Sequence, residues 1–139
     1  MKPHPYLRAY MAGVAVPSVF LLFGFCAFCV IRFGYDPAFP FERIIVFPLA
    51  LVPAIWGAWN MVYLALRGHH GPRYTLGLHG AIAPLVLVPA GLLIMRALNF
   101  PPAIQVPQFA AIVIPLAMIV YYLVWKYFVG FLNEVLGIA

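Results

Sequence analysis

The chain has 139 residues, 66% of them hydrophobic and only 8% charged, and this composition excludes an ordinary soluble domain. Its net charge of +5 comes without a cluster of Lys and Arg or a soluble basic face, which argues against nucleic-acid binding. Four apolar stretches each approach the roughly 20 residues that a helix needs to cross a bilayer. We therefore predict an all-α polytopic membrane protein, with residues 1–139 forming a single transmembrane four-helix bundle.

The first predicted helix covers about residues 10–31. Its apolar run is too long for a secretory signal and no small-x-small cleavage site follows it, so we expect the helix to remain in the protein. Cys26 and Cys29 form a C-x-x-C pair within it. Thiolates are disfavoured at this depth and no second pair completes a zinc site, so we interpret both cysteines as small apolar packing residues.

The second predicted helix covers about residues 44–66 and carries a stripe of small residues. The stripe consists of Ala50, Ala54 and Ala58 at four-residue spacing, with Gly57 beside them. Small side chains let another helix backbone approach closely. The stripe therefore predicts helix packing, with either another helix of this chain or a second subunit as the partner.

Three of the four histidines lie in the segment RGHHGPRYTLGLHG, residues 67–80, which connects the second and third helices. A haem between helices usually needs two facing imidazoles inside the bundle, and zinc needs three or four ligands. Without a nearby Cys, Asp or Glu, a metal site would have to use His4, His69, His70 and His79. We interpret the segment as a hydrated loop with partly protonated histidines, and we predict no metal and no cofactor.

The third and fourth predicted helices cover about residues 80–98 and 109–131. Arg96 lies about one turn before the end of the third helix, where it can reach lipid head groups; capture of a phosphate or carboxylate is the alternative. Tyr121 and Tyr122 in the fourth helix could stack on a quinone or chlorin-like ligand. Aromatic residues at helical spacing more often fill a core or anchor a helix at the membrane interface.

Polar groups inside membrane helices are the default functional candidates, and this chain has few. We expect the Asn60 side chain in the second helix to form an interhelical hydrogen bond worth about 1 kcal/mol. Lys126 in the fourth helix is interpreted as a side chain that extends to the membrane interface; a cation lining an inner vestibule is the alternative. These two residues form our candidate inner polar site, and we assign no catalytic residue.

The two halves of the sequence match without gaps at an offset of 67 residues, with about a dozen identities where roughly five are expected by chance. The matched positions include Pro5 with Pro72, Gly13 with Gly80, Pro17 with Pro84, Gly24 with Gly91, Pro40 with Pro107, and Pro48 with Pro115. We interpret this as a tandem duplication of a two-helix unit, with repeats at about 5–67 and 72–134. The repeats would be parallel and related by a pseudo-two-fold axis along the membrane normal. The alternative is that similarly placed prolines and glycines arose independently in two apolar hairpins.

Four matched prolines fall inside predicted helices: Pro17, Pro48, Pro84 and Pro115. Proline has no N–H for the helical hydrogen bond, so we predict kinks at these positions.

Orientation follows from the distribution of Lys and Arg residues. One end of the helices would carry Lys2, Arg8, Arg67, Arg73 and Lys126, and the other Arg32, Arg43 and Arg96. This bias predicts that both termini lie in the cytoplasm, with the protein in a plasma or inner membrane.

The functional expectation rests on the short loops, the small-residue stripe and the lack of assigned catalytic residues. We expect a non-catalytic scaffold or accessory subunit in the lipid bilayer, forming a homo-oligomer or part of a larger membrane complex. Two alternatives stay open. One is a channel, carrier or lipid- or small-molecule-binding membrane module, and the other is a haem- or metal-binding redox subunit that uses the histidines.

Overall fold

The computed structural model describes residues 4–35, 49–68, 75–97, 99 and 107–138, and all regular structure in these ranges is helical. The elements in chain order are α1 (Pro5–Tyr35), a 3-10 turn (Leu49–Leu51), α2 (Val52–Leu66), α3 (Leu76–Ala97), α4 (Pro107–Val124), a π-helical turn (Trp125–Val129) and α5 (Gly130–Val135). The last three elements follow one another without a break. The prediction of an all-α fold with four long helices is confirmed for the described residues.

Among the residues that the structure describes, four helical segments are long and apolar enough to cross a membrane. They are Pro5–Tyr35, Leu49–Leu66, Leu76–Ile94 and Ala111–Val135. The first is the longest, because α1 begins before the apolar run with Pro5 at its first position, where a missing N–H costs nothing. Its 31 residues span about 46 Å, more than the roughly 30 Å of a hydrocarbon core.

Within each half of the chain, consecutive helices pack closely at a glycine. A Cβ atom added to Gly13 of α1 would lie 2.5 Å from the carbonyl oxygen of Trp56 and 2.8 Å from the Cα of Gly57 in α2. A Cβ atom added to Gly80 of α3 would lie 2.6 Å from Cδ1 of Trp125. Real Cβ atoms do not make contacts this short, so the packing of α1 on α2 and that of α3 on the π-helical turn after α4 both depend on glycine.

Three of the four prolines predicted to cause kinks lie inside helices. Pro17 is in α1, Pro84 in α3 and Pro115 in α4, whereas Pro48 lies outside the described residues. Each removes one N–H from its helix, so the carbonyl four residues earlier loses its intrahelical donor. For Pro17 and Pro84, that carbonyl belongs to Gly13 and Gly80, the glycines of the two close approaches just described.

The buried core lies at the end of the bundle where α1 and α3 begin and where α2 and α5 end, which we call the terminal end. One cluster is formed by Val16, Trp56, Trp125 and Val129, and a second by Ala9, Ala12 and Ile138. The buried residues of α1 all lie between Ala9 and Pro17. Beyond Pro17, toward the opposite or distal end, α1 is covered much less by the rest of the described chain.

The segment after α5 closes the terminal end. Gly137 has a φ of 67° and its N–H bonds to the Glu134 carbonyl, while the N–H of Ile138 bonds to the Asn133 carbonyl. These two bonds form a Schellman motif, which explains why a glycine is needed there. The guanidinium of Arg8 donates to the Leu136 carbonyl at 2.6 Å, and that of Arg67 donates to the Ile138 carbonyl.

Candidate functional site

A buried pair of carboxamides joins three helices at the terminal end. Nδ2 of Asn60 donates to the Ala9 carbonyl at 2.7 Å and to Oδ1 of Asn133 at 2.9 Å. Nδ2 of Asn133 donates back to Oδ1 of Asn60 at 3.3 Å. The two side chains are only 0% and 4% exposed. Asn60, one of the two residues of the predicted inner polar site, therefore connects α2 to α1 and α5.

His79 is also buried, and it links α2 to α3. Its Nε2 lies 2.9 Å from the Trp59 carbonyl, and Nε1 of Trp59 donates to the His79 carbonyl at 3.1 Å. Because a carbonyl only accepts, the Nε2 nitrogen carries the proton in this pairing. The imidazole stacks on the Trp59 ring with centroids 5.0 Å apart and also contacts Tyr63 and Trp125.

The position of His79 differs from the hydrated loop that we predicted for residues 67–80. It lies in the first turn of α3, because Thr75 caps that helix by accepting a hydrogen bond from the Leu78 N–H at 3.4 Å. His4 is exposed just before α1, and His69 and His70 lie outside the described residues. Among the described residues, no three His, Cys, Asp or Glu side chains are grouped as a metal ion would require.

Lys126 shares no partner with Asn60 in the part of the chain that the structure describes. It is exposed, and its Nζ lies 5.7 Å from the ring centre of Tyr122 and 5.2 Å from that of Tyr127. These distances are typical of cation–π contacts. The structure therefore does not join the two residues of the candidate inner polar site.

The predicted packing stripe on α2 divides between two faces. Gly57 is buried, and a Cβ atom there would lie 2.6 Å from Cδ2 of Tyr10 in α1. Ala50, Ala54 and Ala58 are exposed on the face that the described chain leaves uncovered.

The remaining candidates lie nearer the distal end. Cys26 is exposed and Cys29 is half-buried, and both are free thiols. Arg96 is exposed and lines a shallow cleft of about 370 Å³ along α3 with Pro89, Leu92 and Leu93.

A cavity of about 520 Å³ lies between α1, α2 and α4, and we call it the distal groove. Its lining residues are Pro17, Phe20, Leu21, Gly24, Phe25, Ala27, Phe28 and Ile31 of α1, Leu49, Val52 and Trp56 at the start of α2, and Val120, Tyr121 and Val124 of α4. The part of α1 beyond Pro17 is largely exposed, and its side chains form one wall of the groove.

One polar pair interrupts the apolar lining of the distal groove. Nε1 of Trp56 donates to the hydroxyl oxygen of Tyr121 at 3.3 Å, which is a long hydrogen bond, and the ring centres are 4.9 Å apart. All other described lining side chains are apolar. The Tyr121 hydroxyl proton has no acceptor among the described residues.

No protein-family model, curated protein or solved structure matches the chain significantly. Function has therefore to be inferred from the distal groove and the buried polar residues themselves.

Asn133 and Trp56, the hydrogen-bond partners of Asn60 and Tyr121, were not predicted from the sequence. Asn133 follows the predicted end of the fourth helix at about residue 131, so the sequence does not mark it as an intramembrane polar group. Trp56 was not among the predicted site residues. The 65-residue separation of Trp56 and Tyr121 carries no local signal for their contact, although the Thr75 cap was available as a signal for the start of α3.

Proposed function

We propose that this chain is a non-catalytic integral membrane protein that binds an apolar small molecule or lipid in the distal groove. The observation that carries the proposal is the groove itself, with its volume of about 520 Å³. Ligand sites in proteins measure roughly 300–1,000 Å³ and combine an apolar, aromatic lining with a few convergent polar groups. The distal groove has this composition, with Trp56 and Tyr121 as its polar pair.

The buried polar residues support a binding role over a catalytic one. Asn60 and Asn133 bond to each other, and His79 bonds to a backbone carbonyl of the neighbouring helix. Polar groups that are paired in this way stabilise contacts between helices. We therefore assign them to the stability of the terminal end.

The size of the groove favours a small molecule over a complete helix of a partner protein. The α1 wall between Pro17 and Ile31 is about 21 Å long, shorter than the roughly 30 Å of a membrane-spanning helix. The tail of a lipid is narrower and can lie along the wall that α1 forms between Pro17 and Ile31.

The proposal is tested by narrowing the groove at Gly24. This glycine lines the groove, and a Cβ atom added there meets nothing within 4 Å, so Gly24→Leu fills space without displacing the described chain. We expect the purified variant to carry at most about one fifth of the apolar molecule that the wild type carries. The leucine side chain would occupy space that the ligand needs. Native mass spectrometry from mild detergent, followed by extraction and identification of the bound molecule, measures this.

The matched control is Gly91→Leu. Gly91 lies in α3, outside the groove lining, and a Cβ atom there also meets nothing within 4 Å. Both substitutions change helix propensity equally, so they differ in the groove alone. Equal retention by the two variants and the wild type would rule out the distal groove as the binding site.

A scaffold or accessory subunit that forms a homo-oligomer is the second candidate function. It is favoured by the exposure of Ala50, Ala54 and Ala58, which leaves a small-residue face of α2 open to another helix. The same mass spectra report subunit number. A homo-oligomer without a bound apolar molecule would favour this second candidate.

We also propose that the two hairpins are a parallel tandem repeat with both termini in the cytoplasm. The proposal is supported by the matching roles of Gly13 and Gly80, which lie 67 residues apart and each allow one helix to approach the next. It is further supported by Arg8 and Arg67, which both lie at the terminal end.

A further inference from the structure

We infer that the distal groove recognises a ring-and-tail molecule with a carbonyl oxygen, of the benzoquinone class, and that the Tyr121 hydroxyl donates a hydrogen bond to that oxygen. This inference rests on the proposed binding function and names the ligand class and the residue that selects it.

The hydrogen-bonding capacity of Tyr121 is the first step. A phenol hydroxyl has one proton to donate and lone pairs that accept, whereas an indole N–H can only donate. Trp56 therefore occupies a lone pair of the Tyr121 oxygen and leaves its proton for a different acceptor. None of the described residues accepts that proton. A hydroxyl donor in apolar surroundings favours a ligand that brings an acceptor.

The position of the polar pair gives the orientation of the ligand. The α1 wall runs from Pro17 to Ile31, and the α2 wall runs in the opposite direction from Trp56 back to Leu49. Pro17 and Trp56 therefore lie at the end of the groove nearest the buried core, and Tyr121 lies beside them. A ligand with its oxygen at this inner end and an apolar tail toward the distal end matches both parts of the lining.

The lining also restricts the charge and the shape of the ligand. Its described residues include no charged side chain, so a charged head group would lose its hydration without gaining a partner. The aromatic rings of Phe20, Phe25 and Phe28 line one wall, and Trp56 and Tyr121 close the inner end. Aromatic rings pack favourably against flat ring systems. An uncharged ring with carbonyl oxygens satisfies these requirements.

The experiment compares two probes that share a ring and a ten-carbon tail and differ in the carbonyl oxygens. The full chain, washed free of lipid in mild detergent, is titrated with decyl-1,4-benzoquinone and with decylbenzene, and bound fractions are read by native mass spectrometry. We expect the wild type to bind the quinone about fivefold more tightly, the effect of one additional hydrogen bond. Tyr121→Phe should lose that preference and leave decylbenzene binding unchanged, which also shows that the variant is folded.

Tyr122→Phe is the matched control, because it removes the neighbouring hydroxyl in the same helix. Tyr122 packs over Gly77 and lies beneath the Lys126 ammonium group, outside the groove lining. This variant should keep the preference for the quinone.

The outcomes separate the inference from the proposed function. Equal affinities of the wild type for the two probes, unaffected by Tyr121→Phe, would overturn the carbonyl recognition and leave apolar binding in place. Binding of neither probe would overturn both. A preference for the quinone that Tyr121→Phe retains would show that another group recognises the oxygen.

Discussion

A buried carboxamide needs donors and acceptors at once, and another carboxamide can supply both. Asn60 and Asn133 meet this need reciprocally, and Asn60 makes a further bond to the Ala9 carbonyl. Truncating one member leaves the other buried without its partner, which costs about 1–3 kcal/mol. The strength of the pair is therefore best measured by changing both members.

The pair predicts coupled effects on stability. We expect Asn60→Leu and Asn133→Leu each to lower the free energy of unfolding by about 1–3 kcal/mol, because each leaves an unsatisfied amide. The double variant should lose less than the sum, by about 1 kcal/mol, because neither amide remains. Unfolding in mixed micelles monitored by circular dichroism measures all three. Additive losses would mean that the two side chains act independently.

The sequence predicted the type of contact that the Asn60 side chain makes, but it did not predict which residue is its partner. Asn60 is flanked by apolar residues, so its side chain is expected to form a hydrogen bond to another helix. Asn133 lies 73 residues away, and only the continuation of the last helix through the π-helical turn to Val135 places it opposite. The hydrophobic run begins after His79, so the sequence predicts a loop there, whereas α3 begins at Leu76.

The helices approach closely where a glycine and a proline follow each other four residues apart. Gly13 and Gly80 supply the space for the neighbouring helix, and Pro17 and Pro84 remove the donor to the same glycine's carbonyl. The two glycine–proline pairs match at the 67-residue offset, so the sequence alone marks both positions. What each glycine contacts was not predictable, because the offset does not specify which side chain faces it.

Substitution by alanine should affect stability differently at Gly13 and at Gly24 of α1. Gly13→Ala places a Cβ atom 2.5 Å from the Trp56 carbonyl oxygen, so α1 and α2 must separate, and we expect a loss of about 1–3 kcal/mol. Gly24→Ala meets nothing within 4 Å and should leave stability equal or raise it by up to about 1 kcal/mol, because alanine is the better helix former. Thermal unfolding in detergent compares the two. A neutral Gly13→Ala would contradict the close α1–α2 contact.

As a whole, the buried and polar contacts that join the two hairpins are concentrated at one end of the molecule. The buried clusters, the amide pair and the His79–Trp59 bonds all lie at the terminal end. The distal groove lies where such contacts are lacking among the described residues. Hydrophobic stretches predicted the four helices, because length and apolarity suffice for that. They could not predict the groove, because it depends on which helices become neighbours.

This asymmetry predicts that distances between helices vary more at the distal end than at the terminal end. Spin labels attached through Leu22→Cys and Leu116→Cys, both exposed toward the distal end, should give a broader distance distribution than labels at Tyr6→Cys and Val135→Cys. The terminal pair is fixed by buried contacts, whereas the distal pair flanks the groove. Double electron–electron resonance in a background without native cysteines measures both. Saturating decyl-1,4-benzoquinone should narrow the distal distribution only, and equal widths without ligand would contradict the asymmetry.

The Asn60–Asn133 pair also imposes an order of events during synthesis. The ribosome adds about 5–20 residues per second, so Asn133 is made roughly 4–15 s after Asn60, which precedes it by 73 residues. During that interval the Ala9 carbonyl, already synthesised, is the partner available to Asn60. We therefore expect the first hairpin to assemble before the second is complete. The bonds between Asn60 and Asn133 then form only after the last helix has been synthesised.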